Sequence, residues 1–271
     1  MEKKMQPQDA AAKESGFSPS VLGSLEVSLE AMLKAGMHFG HQKSRRNPKM
    51  APYIFGTRKG INIIDLAKSR EKLEEAMEFI SSVRRSGKQV LIVGTKVQAK
   101  DLVTEAAKEM GMPYVVERWL GGTFTNFKVI RARAKYLLEL EEKIEKGELR
   151  KYTKFEQLKK AEEMEKLEKR MGGIKQMTEL PGAVIAMSIK EDELAITEAQ
   201  KMGIPVVAIS DTNTDPMKVD YPVPANDDAL SSLRLVLGYF CKALSVKPEK
   251  IEAPKKEEKE GKIQRAPRSR K

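Results

Sequence analysis

The stretch VLIVGTKVQAKDLVTEAAKEMGMPYVV, residues 90–116, decides the fold. Val90 to Val93 is an unbroken run of strand-forming apolar residues, Val97 to Met110 carries helical periodicity, and Tyr114 to Val116 is strand-like again. A strand, a helix and a strand joined by short turns make a βαβ unit. A strand that is apolar at every position needs cover on both faces, which a parallel sheet between helix layers supplies.

The rhythm continues on both sides. Ser24 predicts the N-cap of a short helix with Leu25, Leu29, Met32 and Leu33 on one face, stopping at Gly36. Ile61, Ile63 and Ile64 predict a strand ending at Asp65, followed by Leu73, Met77, Ile80 and Val83 at helical spacing. Further along, Ala183 to Met187, Val206 to Ile209 and Tyr221 to Val223 predict strands. Glu191 to Met202 and Asp227 to Leu244 predict helices. The fold class is α/β, a parallel sheet flanked by helices.

Residues 126–172 interrupt this pattern with fourteen basic and ten acidic residues and few strand formers. Ile130, Ala134, Leu137, Leu138 and Ile144 form one helical stripe, and Leu158, Ala161, Met164, Leu167 and Met171 form another. With a turn near Gly147 they predict an antiparallel helical hairpin, either a solvated arm or a lever into another macromolecule. The domain reading is therefore residues 24–125 and 173–246 as one parallel α/β domain with 126–172 inserted in it. Residues 1–23 are a flexible extension and 247–271 a disordered basic tail.

The charge is localised. The chain of 271 residues has 50 Lys+Arg and 39 Asp+Glu, a formal net charge of +11. Residues 31–60 contain Lys34, Lys43, Arg45, Arg46, Lys49, Arg58 and Lys59 and no acid at all, and the tail is purely basic from Lys262 onward. Two basic segments beside a near-neutral body suit a polyanion. The first is broken by Gly36, Gly40, Pro48, Pro52, Gly56 and Gly60. It therefore predicts a loop that moulds to a nucleic-acid backbone, not a membrane-binding amphipathic helix. No apolar run approaches the length of a membrane span. One cysteine, Cys241, and two histidines exclude a disulfide framework or a multi-Cys zinc site, and a reducing compartment fits.

Candidate chemistry clusters beyond the predicted carboxyl ends of the strands, where parallel α/β sheets hold ligands. Gly94-Thr95-Lys96 either holds a phosphate or is an ordinary strand-to-helix turn; it is neither a Walker loop nor G-x-G-x-x-G. Asp211, Asp215 and Asp227 either coordinate Mg²⁺ or serve as Asx turns and helix caps around Pro216 and Asn226. His38 and His41 are spaced for two metal ligands, which only carboxylates from elsewhere would complete, or for two phosphate contacts; otherwise one ring packs at the sheet edge and the other faces phosphate. Trp119, between Arg118 and Gly121-Gly122, either stacks a base or plugs the hairpin root into the core. Thr123, Thr125, Asn126, Lys128, Arg131 and Arg133 suit phosphate oxygens. With aromatics this sparse, the pattern predicts shape recognition of folded RNA and no RRM-type or OB-type aromatic platform. No catalytic Ser/His/Asp or Cys/His set is present.

Taken together, several segments closely resemble the bacterial-type small-subunit ribosomal protein S2 family. They are Met32 to His41, Asn47-Pro48-Lys49-Met50, Pro52 to Gly56, Val93 to Lys96, Arg118 to Gly122, Leu167-Glu168-Lys169, Gly172 to Lys175, Asp211-Thr212-Asn213 and Asn226-Asp227-Asp228, and the match runs from about Leu25 to Val246. The resemblance implies a flavodoxin-like parallel sheet with a protruding antiparallel coiled-coil hairpin. It implies a non-catalytic, cytoplasmic constituent of the small ribosomal subunit, without a cofactor, that binds ribosomal RNA where head meets body. The resemblance also implies that it joins late in subunit assembly and neighbours other small-subunit proteins. Among these is the multi-OB-domain messenger-binding protein that it helps dock. The RNA-facing residues it implies are His41, Lys43, Arg45, Arg46, Asn47, Lys49, Arg58, Lys59, Lys96, Arg118, Asn126 and Arg131. Two departures, Ser188 where the family has Asp and Ala225 where it has Gly, argue against an acidic pocket at the sheet's carboxyl ends. Two other classes compete. One is an α/β enzyme or sensor holding a phosphorylated metabolite and Mg²⁺ between Lys96 and Asp211, and the other is a scaffold whose hairpin binds protein. The acid-free segment favours RNA over the enzyme.

Overall fold

The computed structural model describes residues 27–147, 151 and 153–246. The expected N-terminal extension, the basic tail and the Ser24 cap lie outside the described residues. The first helix, α1 (Leu29–Lys34), is capped instead by Ser28, whose hydroxyl accepts from the Ala31 N–H. It ends before Gly36, which takes the left-handed φ of 68° that favours glycine.

Three strands follow: β1 (Phe39–Gln42), β2 (Ile54–Arg58) and β3 (Ile61–Ile64). They form an antiparallel sheet in the order β1-β3-β2. This corrects the expectation of a basic loop, because the segment folds as two strands joined by the 3₁₀ turns Lys43–Arg45 and Pro48–Tyr53. Of the glycines and prolines that suggested a loop, Gly40 and Gly56 lie within strands, Pro48 and Pro52 in a 3₁₀ turn, and Gly36 and Gly60 at the helix end and the hairpin tip. Lys59 and Gly60 sit at φ of 50° and 78° and make the two-residue hairpin turn between β2 and β3.

The remaining elements are α2 (Leu66–Arg85), β4 (Val90–Val93), α3 (Val97–Met110), β5 (Tyr114–Val115), α4 (Phe127–Glu145), α5 (Lys154–Met171), β6 (Ala183–Ala186), α6 (Glu193–Lys201), β7 (Val206–Ser210), β8 (Tyr221–Pro224) and α7 (Leu230–Leu244). The five later strands form a parallel sheet in the order β5-β4-β6-β7-β8. Counted within that sheet, the order is the flavodoxin-like 2-1-3-4-5, with its switch point between β4 and β6.

Both faces of this sheet are covered, and the strand period of two sorts its residues. Val90, Ile92, Ile185, Val207 and Ile209 join the core formed with α2, α3 and α7. Leu91, Val93, Val184, Val206 and Ala208 join a second core with α6, Trp119, Phe124 and the start of α4. Helices α6 and α7 begin a few residues later than the sequence pattern predicts. The Asp192 carboxylate is taken up by Ser188 and Thr95, and the Asn226 side chain accepts from the Asp228 and Ala229 N–H groups ahead of α7.

Helices α4 and α5 occupy the predicted insertion and touch one another, with the Tyr136 hydroxyl 3.4 Å from Glu163 Oε2. Helix α5 starts with a reciprocal capping box between Thr153 and Glu156. Its apolar stripe is graded: Leu158 is exposed, Met164 and Leu167 are half-buried, and Met171 is buried in the second core. At its end, Gly173 lies so close to β5 that a Cβ there would stand 2.2 Å from the Tyr114 carbonyl oxygen.

Candidate nucleic-acid interface

Lys43, Arg45, Arg46, Arg58 and Lys59 are all exposed on the small antiparallel sheet and its turns. The Lys43 N–H donates to the Gly60 carbonyl at 2.9 Å, which brings Lys43 beside the hairpin tip that carries Arg58 and Lys59. No acid pairs with any of these five among the described residues. Lys49 differs: its ammonium sits 2.6 Å from Asp215. Asn47 is the N-cap of its 3₁₀ turn, its side-chain oxygen accepting from the Lys49 N–H at 3.0 Å.

The second predicted group surrounds the glycine-rich loop before α4. Arg118, Asn126 and Arg131 are exposed, and Asn126 makes no side-chain cap bond to α4. Trp119 is 5% exposed and packs edge-on against Phe124 at 5.0 Å, so it plugs the core and presents no stacking face. The Thr123 hydroxyl is also committed, donating to the Leu120 carbonyl at 2.6 Å.

What holds this loop is a residue the sequence reading missed. Glu198, on α6, accepts from Trp119 Nε1 and from the N–H groups of Gly122, Phe124 and Thr125 at 2.7–3.4 Å. Burial raises its pKa, but these donors outweigh burial and hold the carboxyl below its usual value. Nothing in the pattern around Glu198 marks it, because the need for an acceptor arises only when the loop folds over α6.

Lys96 and His41 are placed differently from the exposed cations. Both face a group of acids at the carboxyl ends of the parallel strands. Lys96 Nζ is 2.7 Å from Asp227 and 2.6 Å from Asp228. His41 Nδ1 is 3.1 Å from Asp211 and its Nε2 is 3.3 Å from Asp228. Asp227 also accepts from the Ser188 hydroxyl at 2.6 Å. Acids therefore do gather here despite Ser188 and Ala225, since the serine donates a hydrogen bond to the acid that the last strand supplies.

One ligand atom from each of His41, Asp211, Asp227 and Asp228 lies within 4.8 Å of the others, a set that suits a divalent cation. Asp215, the third acid of the predicted Mg²⁺ trio, is outside that set; it caps the 3₁₀ turn Pro216–Lys218 and pairs with Lys49. The Lys96 ammonium lies against two of the same carboxylates, so a side chain of the protein compensates their charge. Burial lowers the Lys96 pKa, but the bonds to Asp227 and Asp228 outweigh it and raise it. For Asp227 the order is reversed, and burial and the neighbouring Asp211 charge raise it despite Lys96.

These acids mount the basic sheet on the parallel domain. The His41 N–H donates to Thr212 Oγ1 and the Asn47 N–H to the Thr212 carbonyl, both at 2.8 Å. Gly40 packs so tightly that a Cβ would stand 2.4 Å from Thr212 Cγ2. The Asn62 side chain closes the back by donating to the His41 carbonyl at 3.0 Å. His38 takes the other histidine role, packing on Phe39 at 4.0 Å, and burial lowers its pKa.

The mount should be pH-dependent. The Asp211 hydrogen bond, acting against burial and aided by the charges of Asp211, Asp228 and Asp227, raises the His41 pKa. The stabilisation is complete below the unfolded imidazole value and is lost as pH rises through the raised folded value. Thermal melts from pH 6 to 9 should show this decline, and His41→Gln should flatten it. An unchanged slope in the variant would remove His41 from the mount.

The chain matches the family model described as "Ribosomal protein S2" over residues 32–246. It is 52% identical over 210 residues to small ribosomal subunit protein uS2 of Roseiflexus castenholzii, covering 78% of this chain and 80% of that one. It is 45% identical over 236 residues to the protein of the same name from Salinibacter ruber, covering 87% and 74% of the two chains. With the uS2 protein of Syntrophobacter fumaroxidans the identity is 48% over 210 residues, 78% of this chain and 77% of the other.

Proposed function

The chain belongs to the ribosomal protein S2 family, and from that premise we propose that it is a structural constituent of the small ribosomal subunit that binds ribosomal RNA through phosphate contacts. The observation that carries the RNA reading is the set of five exposed cations without acidic partners among the described residues, held on the small sheet and its turns. Such groups release counterions on meeting phosphates and fix the position of a protein without reading sequence. Arg118, Asn126 and Arg131 supply a second line of contacts, and Lys49 joins when phosphate competes with Asp215. His41 and Lys96 act by holding the basic sheet in place.

The protein is not an enzyme. Its switch-point crevice, where related folds bind ligands, contains Lys96 salt-bridged to Asp227, Thr95 bonded to Asp192 and Ser188 bonded to Asp227. Within the same proposal, residues 126–172 form a coiled-coil arm inserted in the α/β domain, supported by the contact of α4 with α5 and the graded burial of α5. The neighbours include the multi-OB-domain messenger-binding protein, as the resemblance implies.

Sedimentation of the tagged chain through a gradient of cell lysate tests the reading. Co-migration with small subunits, lost stepwise as salt rises, is expected. Migration as a free protein at every salt concentration would overturn it.

A further inference from the structure

The β2–β3 ladder skips a residue. Ile54 pairs with Ile64 and Gly56 with Ile63, which leaves Phe55 as the extra residue of a β-bulge. Bulges re-aim side chains, and Phe55 is 81% exposed, more than any other large hydrophobic residue among those described.

Its surroundings form a shelf. Phe39 on β1 and Gly56 on β2 both stand opposite Ile63, and Arg58 opposes Ile61 in the next row of the same face. Phe39 is 47% and Ile61 39% exposed. A Cβ at Gly56 would meet nothing within 4 Å, so there is open space beside Gly56 where a side chain would stand. Strands about 4.8 Å apart put β1 and β2 about 10 Å from each other across β3, room for a flat ring over the central row. The rim is cationic, with Arg58, Lys59 and Lys43 at the hairpin tip and no acid anywhere in residues 31–60.

Resting on the RNA reading above, we propose that this face of the small sheet stacks unpaired RNA bases, with Phe55 as the principal platform and the hairpin-tip cations holding the flanking phosphates. The charge complementarity selects the occupant. An exposed aromatic face with a cationic group at one end fits a polyanion that carries flat apolar rings, which is single-stranded nucleic acid. An acidic peptide would satisfy the cations and leave the aromatic face without a stacking partner. The sequence reading expected no platform because aromatics are sparse; the antiparallel sheet sets Phe39 and Phe55 on the two strands that flank Ile63.

The test measures binding of the full chain to a twelve-nucleotide oligoadenylate and to a fully paired RNA duplex of equal length, by fluorescence anisotropy over a salt series. Phe55→Ala should weaken oligoadenylate binding on the order of tenfold, spare the duplex, and leave both salt slopes unchanged. Phe55→Trp should restore affinity, and Gly56→Leu, which fills open space, should reproduce the loss. If Phe55→Ala leaves both RNAs unaffected while neutralising Arg58 and Lys59 weakens both, the platform is overturned and the phosphate reading stands. If Phe55→Ala spares RNA but releases the protein from small subunits, the face docks protein and the platform is again overturned. If the unaltered chain binds neither RNA at any salt concentration, the RNA reading itself falls.

Discussion

Replacing Lys43, Arg45, Arg46, Arg58 and Lys59 together with Gln is expected to lower RNA affinity about a thousandfold at 0.15 M salt and to reduce the salt slope by about 4. The size follows from counting charges. Each phosphate neutralised contributes about 0.7 to 0.9 to the slope, and five cations act together. All five are exposed and none is ion-paired among the described residues, so the substitution leaves no buried acid unpaired. The melting temperature should therefore hold, which separates lost binding from lost folding. Titrations of a small-subunit RNA fragment at several salt concentrations provide the measurement. An unchanged slope would move the RNA contact off the small sheet and onto Arg118 and Arg131.

The largest expected loss of stability comes from Lys96→Met. The side chain lies between Asp227, which is 3% exposed, and Asp228, with Asp211 fully buried nearby. Removing the ammonium leaves Asp227 beside Asp211 without its ion-pair partner, and breaking a buried pair in this way costs about 3–5 kcal/mol. Pairing it with Asp227→Asn should recover part of the loss, because the neutral amide still accepts from the Ser188 hydroxyl and removes the uncompensated charge. Chemical denaturation of the two single variants and the double variant gives the coupling. A Lys96→Met cost below about 1 kcal/mol would show that the acids are neutralised by protonation rather than by lysine. Because the same acids hold His41, the variant should also loosen the basic sheet and weaken RNA binding as a secondary effect.

Much of the domain was legible because burial on both faces leaves a direct mark on sequence. Val90 to Val93, Ala183 to Ala186 and Val206 to Ile209 are all strands of the parallel sheet, and no polar residue interrupts them. The basic segment was misread as a loop for an equally physical reason. Its strands are short and half-exposed, so they lack a strong alternating pattern, and its glycines and prolines, placed in strands, 3₁₀ turns and the hairpin tip, look the same in sequence as those of a loop.

The candidate site divides along the same line. Composition alone located the acid-free segment, since clustering of like charge needs no fold to be seen. The cations themselves were not distinguishable in sequence. Lys43, Arg58 and Lys59 remain open to a phosphate, whereas Lys96 and His41 turn inward to acids supplied by the segments that follow β7 and β8. Glu198 reaching the glycine-rich loop depends likewise on a contact between distant segments, whereas the bulge at Phe55 is set by the register of the β2–β3 hairpin. Hydrophobic periodicity and net charge are properties of local sequence, so the chain by itself determined the α/β class and the localised basic charge on which the proposed RNA contact rests. Which charged groups are free and which are paired depends on distances between residues far apart in the chain, and only the tertiary structure decided that.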